Sequence, residues 1–105
     1  MDMKTVKITV LETVYNEKLA KEYGAPDIYP GCDEHEPGEV YYYRGGAAPQ
    51  GLCPGAWTAF EKYAFSMAFG ADEFWSNWTK PGVAIVTCND GLRPTVFKLE
   101  IVEDE

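Results

Sequence analysis

The sequence predicts an α+β fold in one small domain. A mostly antiparallel sheet, built from an N-terminal strand, a middle strand and a C-terminal hairpin, packs on one main helix and short helical turns. Three observations carry this expectation. Apolar and polar residues alternate near both ends of the chain, as in a sheet with one wet face. One long segment near the middle repeats its apolar residues at helical spacing. Asn89-Asp90-Gly91 joins the last two strand-like runs with a strong turn signal. The 105 residues fit a single domain, 1–105, with a frayed acidic tail at 103–105.

Each element follows from its own residues. Val6, Ile8 and Val10 alternate with Lys7 and Thr9, which describes a half-buried strand. Asn16 is placed to cap a short helix through Leu19, Ala20 and Tyr23, and Gly24 stops it. Pro26, Pro30, Gly31, Pro37 and Gly38 mark a long irregular connection. Val40 to Arg44 forms a second strand, with Tyr41 and Tyr43 on one face and Tyr42 on the other, followed by a glycine-rich loop over 45–51. The main helix starts at Pro54, a favoured first-turn position for proline. Trp57, Phe60, Ala64, Met67 and Ala68 form its apolar stripe, while Thr58, Glu61 and Lys62 face solvent. Phe65 and Phe69 make its second half apolar all round, so that half needs a cover. A turn headed by Asp72 and holding Phe74, Trp75 and Trp78 is the nearest cover in the chain, and a second copy is the other. Val83 to Cys88 is apolar on both faces, as a central strand would be. Thr95, Phe97, Leu99 and Ile101 then face the core, with Lys98 and Glu100 outward.

Composition excludes several classes of function. Leu, Ile, Val and Phe together number only 22, but 7 Tyr and 3 Trp supply the missing apolar area, so the chain is neither disordered nor a coiled coil. The net charge is −8. Asp33, Glu34, Glu36 and Glu39 make one acidic patch, and Glu100, Glu103, Asp104 and Glu105 make another. No basic groove is available for phosphates, so no nucleic acid is expected as a partner, and no membrane either. The N-terminus lacks a basic segment followed by an apolar run, and the three cysteines are too few for a disulfide scaffold. A reduced, cytoplasmic setting is expected.

Candidate chemistry centres on Cys53. The sulfur precedes a helix whose free N–H groups and positive dipole end favour a thiolate, which is the environment of a reactive cysteine. Ala56 stands where a Cys-x-x-Cys motif would place its second thiol. The competing account is a small residue at a helix end. Cys32, His35, Cys53 and Cys88 offer zinc-type ligands, but without a paired Cys-x-x-Cys knuckle, so no metal and no cofactor is expected. A Ser–His hydrolase would need His35 with Ser66 or Ser76, and neither serine sits in a nucleophile-elbow pattern. Asp90 either braces the turn or, with Arg93, frames a site in which Arg93 clamps an anion. Trp75 and Trp78 line either a pocket or the core.

Three stretches resemble a family of uncharacterised small bacterial and archaeal proteins of similar length. They are Cys53-x-x-Ala56-Trp57, Phe69-Gly70 and Asp90-Gly91-x-Arg93-Pro94-x-x-Phe97-Lys98-x-Glu100. The resemblance covers nearly the whole chain and is most specific in the last stretch. It implies that Cys32, Cys53, Trp57, Asp90 and Arg93 occupy motif positions, and that Thr95 stands where the family usually has Val. It implies no activity or cofactor.

The functional expectation is a binding or accessory domain. Its concave aromatic site, near Cys53, Trp57, Asp90, Arg93 and Trp75, would take a small molecule, anionic if Arg93 clamps it, or a protein partner. Self-association through the aromatic helix end belongs to the same expectation. The alternative is a thiol-based redox enzyme, or a Cys/His metal-binding protein, centred on Cys53.

Overall fold

The computed structural model describes residues 3–103, so positions 104 and 105 of the expected acidic tail lie outside the described residues. The elements run β1 (Thr5–Thr13), α1 (Glu17–Tyr23), β2 (Val40–Tyr43), α2 (Pro54–Ala68), β3 (Val83–Thr87) and β4 (Thr95–Val102). All three strand pairings are antiparallel, in the order β2-β1-β4-β3. The fold is therefore α+β: one four-stranded sheet and two helices.

The alternation in the sequence sets which face of the sheet is buried. Val6, Ile8 and Val10 of β1 align with Phe97, Leu99 and Ile101 of β4, and Tyr41 and Tyr43 of β2 share their face. Ala84 and Val86 of β3 complete it. The buried side of α2, namely Ala56, Phe60, Ala64, Met67 and Ala68, packs on this layer. Lys7, Thr9, Lys98 and Glu100 lie on the opposite face, which no helix covers. One helix over one sheet gives a slab of 50 × 31 × 20 Å.

Helix α2 begins as the sequence implies and ends through a glycine. Cys53 is its N-cap residue and Pro54 opens it. At the other end, Gly70 adopts φ 104°. Its N–H donates to the Met67 carbonyl at 2.8 Å, and the next N–H, of Ala71, donates to the Ser66 carbonyl at 3.1 Å. These two bonds satisfy carbonyls in the last turn of the helix.

Three expectations need correction. The run Val83 to Cys88 is not a central strand: β3 lies at the sheet edge, because β4 inserts between it and β1. Its apolar outer residues Val83 and Ile85 are half-buried at that edge. Asn16 sits at the N-cap of α1 but makes no side-chain cap bond; its amide instead donates to the Gly91 carbonyl at 2.6 Å. Finally, the Phe74–Trp78 turn covers only one flank of α2. It packs on Tyr63, and leaves Phe65 and Phe69 about half exposed, stacked edge to face on each other at 5.0 Å.

Candidate functional site

The long connection before β2 delivers His35 to the start of α2. Only 3% of His35 is exposed, and both ring nitrogens are used. Nε2 accepts the Cys53 backbone N–H at 3.1 Å. The ring proton therefore resides on Nδ1, which donates to the Glu39 carboxylate at 2.8 Å. The Tyr41 hydroxyl donates to the same carboxylate oxygen at 3.1 Å. Phe97 and Tyr41 meet the imidazole edge to face. The hydrogen bond from His35, with that from Tyr41, holds the Glu39 carboxyl below its ordinary value of 4.5 against a smaller upward push from burial. Burial and the neighbouring Glu39 push the Tyr41 phenol up. This chain of bonds fixes the loop to the N-terminus of α2.

That arrangement bears on two of the chemical candidates. Cys53 presents its backbone N–H, not its thiol, to the imidazole. Among the described residues, no group of three or more His, Cys, Asp and Glu side chains is arranged to hold a metal ion. Cys32 is occupied locally, its sulfur accepting the Glu34 N–H at 3.4 Å, and the Cys88 sulfur accepts the Thr95 N–H at 3.5 Å. The set Cys32, His35, Cys53 and Cys88 is thus not brought together as ligands.

The β3–β4 turn is braced by Asp90. One carboxylate oxygen accepts the backbone N–H groups of Leu92 and Arg93 at 2.9 and 3.0 Å, and the other accepts Arg93 Nε at 3.0 Å. Burial pushes the Asp90 carboxyl up, but these backbone N–H bonds and the Arg93 guanidinium together outweigh it and leave it below the usual value. Arg93 is therefore engaged by its own turn. Asn89 ties the turn to the helix by donating to the Gly55 carbonyl at 3.2 Å.

The aromatic candidates separate. Trp57 packs on Tyr43 of β2 at 4.9 Å. Trp75 packs on Trp78 and Tyr63, at 4.6 and 5.8 Å. Tyr63 and Trp78 line a groove beside β3, and β2 and β3 are opposite edges of the sheet, so the two tryptophans flank opposite sides of α2. Cys53, Trp57, Asp90, Arg93 and Trp75 do not form one pocket.

What the structure does form is that groove, an open cleft of about 350 Å³ between α2 and β3. Lys62, Tyr63 and Trp78 make one wall, and Ile85 to Asn89 the other. Its size falls at the lower end of ordinary ligand sites. The Lys62 ammonium lies 5.5 Å from the centre of the Tyr63 ring. Neither this groove nor the bond from Cys53 to His35 has a local sequence signature: the first needs the strand order, and the second joins residues 18 positions apart.

No family model matches the chain, and none of the curated proteins or solved structures matches it. No helix among the described residues is long and apolar enough to cross a membrane.

Proposed function

We propose that this chain is a binding domain whose ligand seat is the groove between α2 and β3. The supporting observation is the groove itself: an aromatic wall of Tyr63 and Trp78, one cation at Lys62, and the sheet edge opposite. The ligand class is a segment of a partner protein or a small anion held by Lys62, within an accessory role in the cytoplasm. The half-exposed Phe65–Phe69 pair supplies a second apolar patch, where contact between copies would form.

The test is an NMR titration of the labelled chain with small carboxylates and short peptides. Shifts should gather on Lys62, Tyr63, Trp78 and Thr87. Trp78→Ala should weaken any hit by about tenfold or more. Shifts that gather instead on Cys53 and Trp57 would overturn the assignment.

A further inference from the structure

The geometry points to an extended peptide that joins the sheet at β3 as a fifth strand, with an acidic side chain set against Lys62. This inference rests on the groove being the ligand seat, and it specifies what fills it.

The hydrogen-bond alternation of the sheet identifies which backbone groups are free. Cys88 N–H donates to the Thr95 carbonyl at 3.3 Å. In an antiparallel ladder every second residue exchanges bonds with its partner. With Val86 opposite Phe97 and Ala84 opposite Leu99, those two residues bond to β4. Val83, Ile85 and Thr87 therefore turn their N–H and C=O groups away from the sheet. The same alternation holds on the far side, where Val10 donates to the Glu39 carbonyl and accepts from Gly38. The Val83 carbonyl is already taken by the Thr79 hydroxyl at 2.6 Å. That leaves Ile85 and Thr87, with two donors and two acceptors lacking a partner among the described residues.

Edges of this kind are normally blunted by an inward charge, a proline or a bulge. Val83–Thr87 reads VAIVT and carries no charge or proline, and the register shift of this sheet lies in β1, between Val10 and Glu12. An added strand would place alternate side chains against Tyr63 and Trp78, and its backbone on Ile85 and Thr87.

Charge selects the occupant. Lys62 is exposed, makes no ion pair among the described residues and is the one charged side chain lining the groove. A carboxylate on the incoming segment complements it. A second copy fits less well, because pairing two β3 edges would bring two Lys62 ammonium groups to one seam with no carboxylate lining either groove.

The experiment selects a random heptapeptide library against the full chain. Enriched peptides should alternate β-branched or aromatic residues with polar ones and carry Asp or Glu. A synthetic peptide of the enriched sequence should slow amide exchange of Ile85 and Thr87 by about tenfold or more. Lys62→Glu, on an exposed position, should weaken it by about tenfold and restore binding to the same peptide with Lys in place of the acid. Ile85→Pro, which removes only an outward N–H, should weaken it as well. Peptides that shift Tyr63 and Trp78 yet leave the Ile85 and Thr87 amides unprotected would overturn strand addition and leave the groove reading standing. No enrichment, or enrichment at another surface, would overturn both. Protection of Ile85 and Thr87 that rises with protein concentration alone would assign the edge to a second copy and overturn the inference.

Discussion

At the scale of single residues, the buried polar groups divide into bonded and unbonded. His35 is bonded at both nitrogens, whereas the Thr95 hydroxyl is buried without a hydrogen-bond partner. A buried hydroxyl without a partner costs about 1–3 kcal/mol, and valine has the same branched shape and strand preference. Thr95→Val is therefore expected to stabilise the chain by about 1 kcal/mol, read from the denaturant midpoint at unchanged slope. The Glu39 carboxylate sets a pH dependence of definite sign. Its folded-state pKa is depressed by His35 and Tyr41, so its contribution is present above the ordinary value of 4.5 and is lost as pH falls through the folded value. Asp90, also depressed, acts in the same direction. Glu39→Gln should lower stability at pH 7 and flatten the acid limb of the stability profile below about pH 4.5. A parallel acid limb in the variant would show that Glu39 does not contribute. Neither the unbonded Thr95 hydroxyl nor the His35 bond to Cys53 could be assigned from sequence. In the sequence Thr95 is one inward position of a strand, and only packing shows that its hydroxyl is stranded. His35 lies in a proline- and glycine-rich loop with no periodic pattern, so nothing local points to Cys53.

At the scale of elements, the alternating patterns predicted the strands well, and neighbourhood decided their roles. The run from Val83 reads as a buried central strand because Val83 and Ile85 are apolar on the outer face. In the fold it is an edge strand, and those side chains are half-buried. The same pairing makes adjacent positions unequal. Val86 exchanges hydrogen bonds with Phe97, whereas Ile85 turns its N–H outward. Val86→Pro should cost about 1–3 kcal/mol, because losing a ladder bond leaves the opposing carbonyl without its donor, and Ile85→Pro distinctly less. Equal losses in chemical denaturation would contradict the assigned alternation. Helix α2 shows the converse. Its start at Pro54 and its buried stripe follow from spacing, but the described residues of the chain do not enclose its apolar second half, because the Phe74–Trp78 turn packs on the Tyr63 flank alone.

At the scale of the whole molecule, a net charge of −8 acts on a slab only 20 Å thick along its shortest axis. Few of the carboxylates are paired: Glu17, Asp90 and Glu100 account for the ion pairs with Lys or Arg among the described residues. Self-repulsion should therefore exceed the stabilisation from surface pairs. Raising salt from about 0.01 to 0.15 M shortens the Debye length from roughly 30 to 8 Å. The thermal midpoint should rise by a few degrees over that range. A fall would mean that the three ion pairs outweigh the repulsion.

The fold class, the strands, the start and buried stripe of α2, and the turn at Asn89-Asp90-Gly91 were legible in the sequence. Each follows from interactions between residues close along the chain, or from a period that one buried face imposes. The strand order, the free edge of β3, the groove beside it, and the bond from Cys53 to His35 came from the tertiary fold. These depend on which distant segments meet. The aromatic and cysteine candidates illustrate the division: sequence marked Trp57, Trp75, Cys53 and Arg93, and the fold distributed them over both flanks of α2 and the hairpin turn. The physical reason is that a helix lying across a sheet has two sides, and the pairing of β4 with β1 sets which strand each side faces.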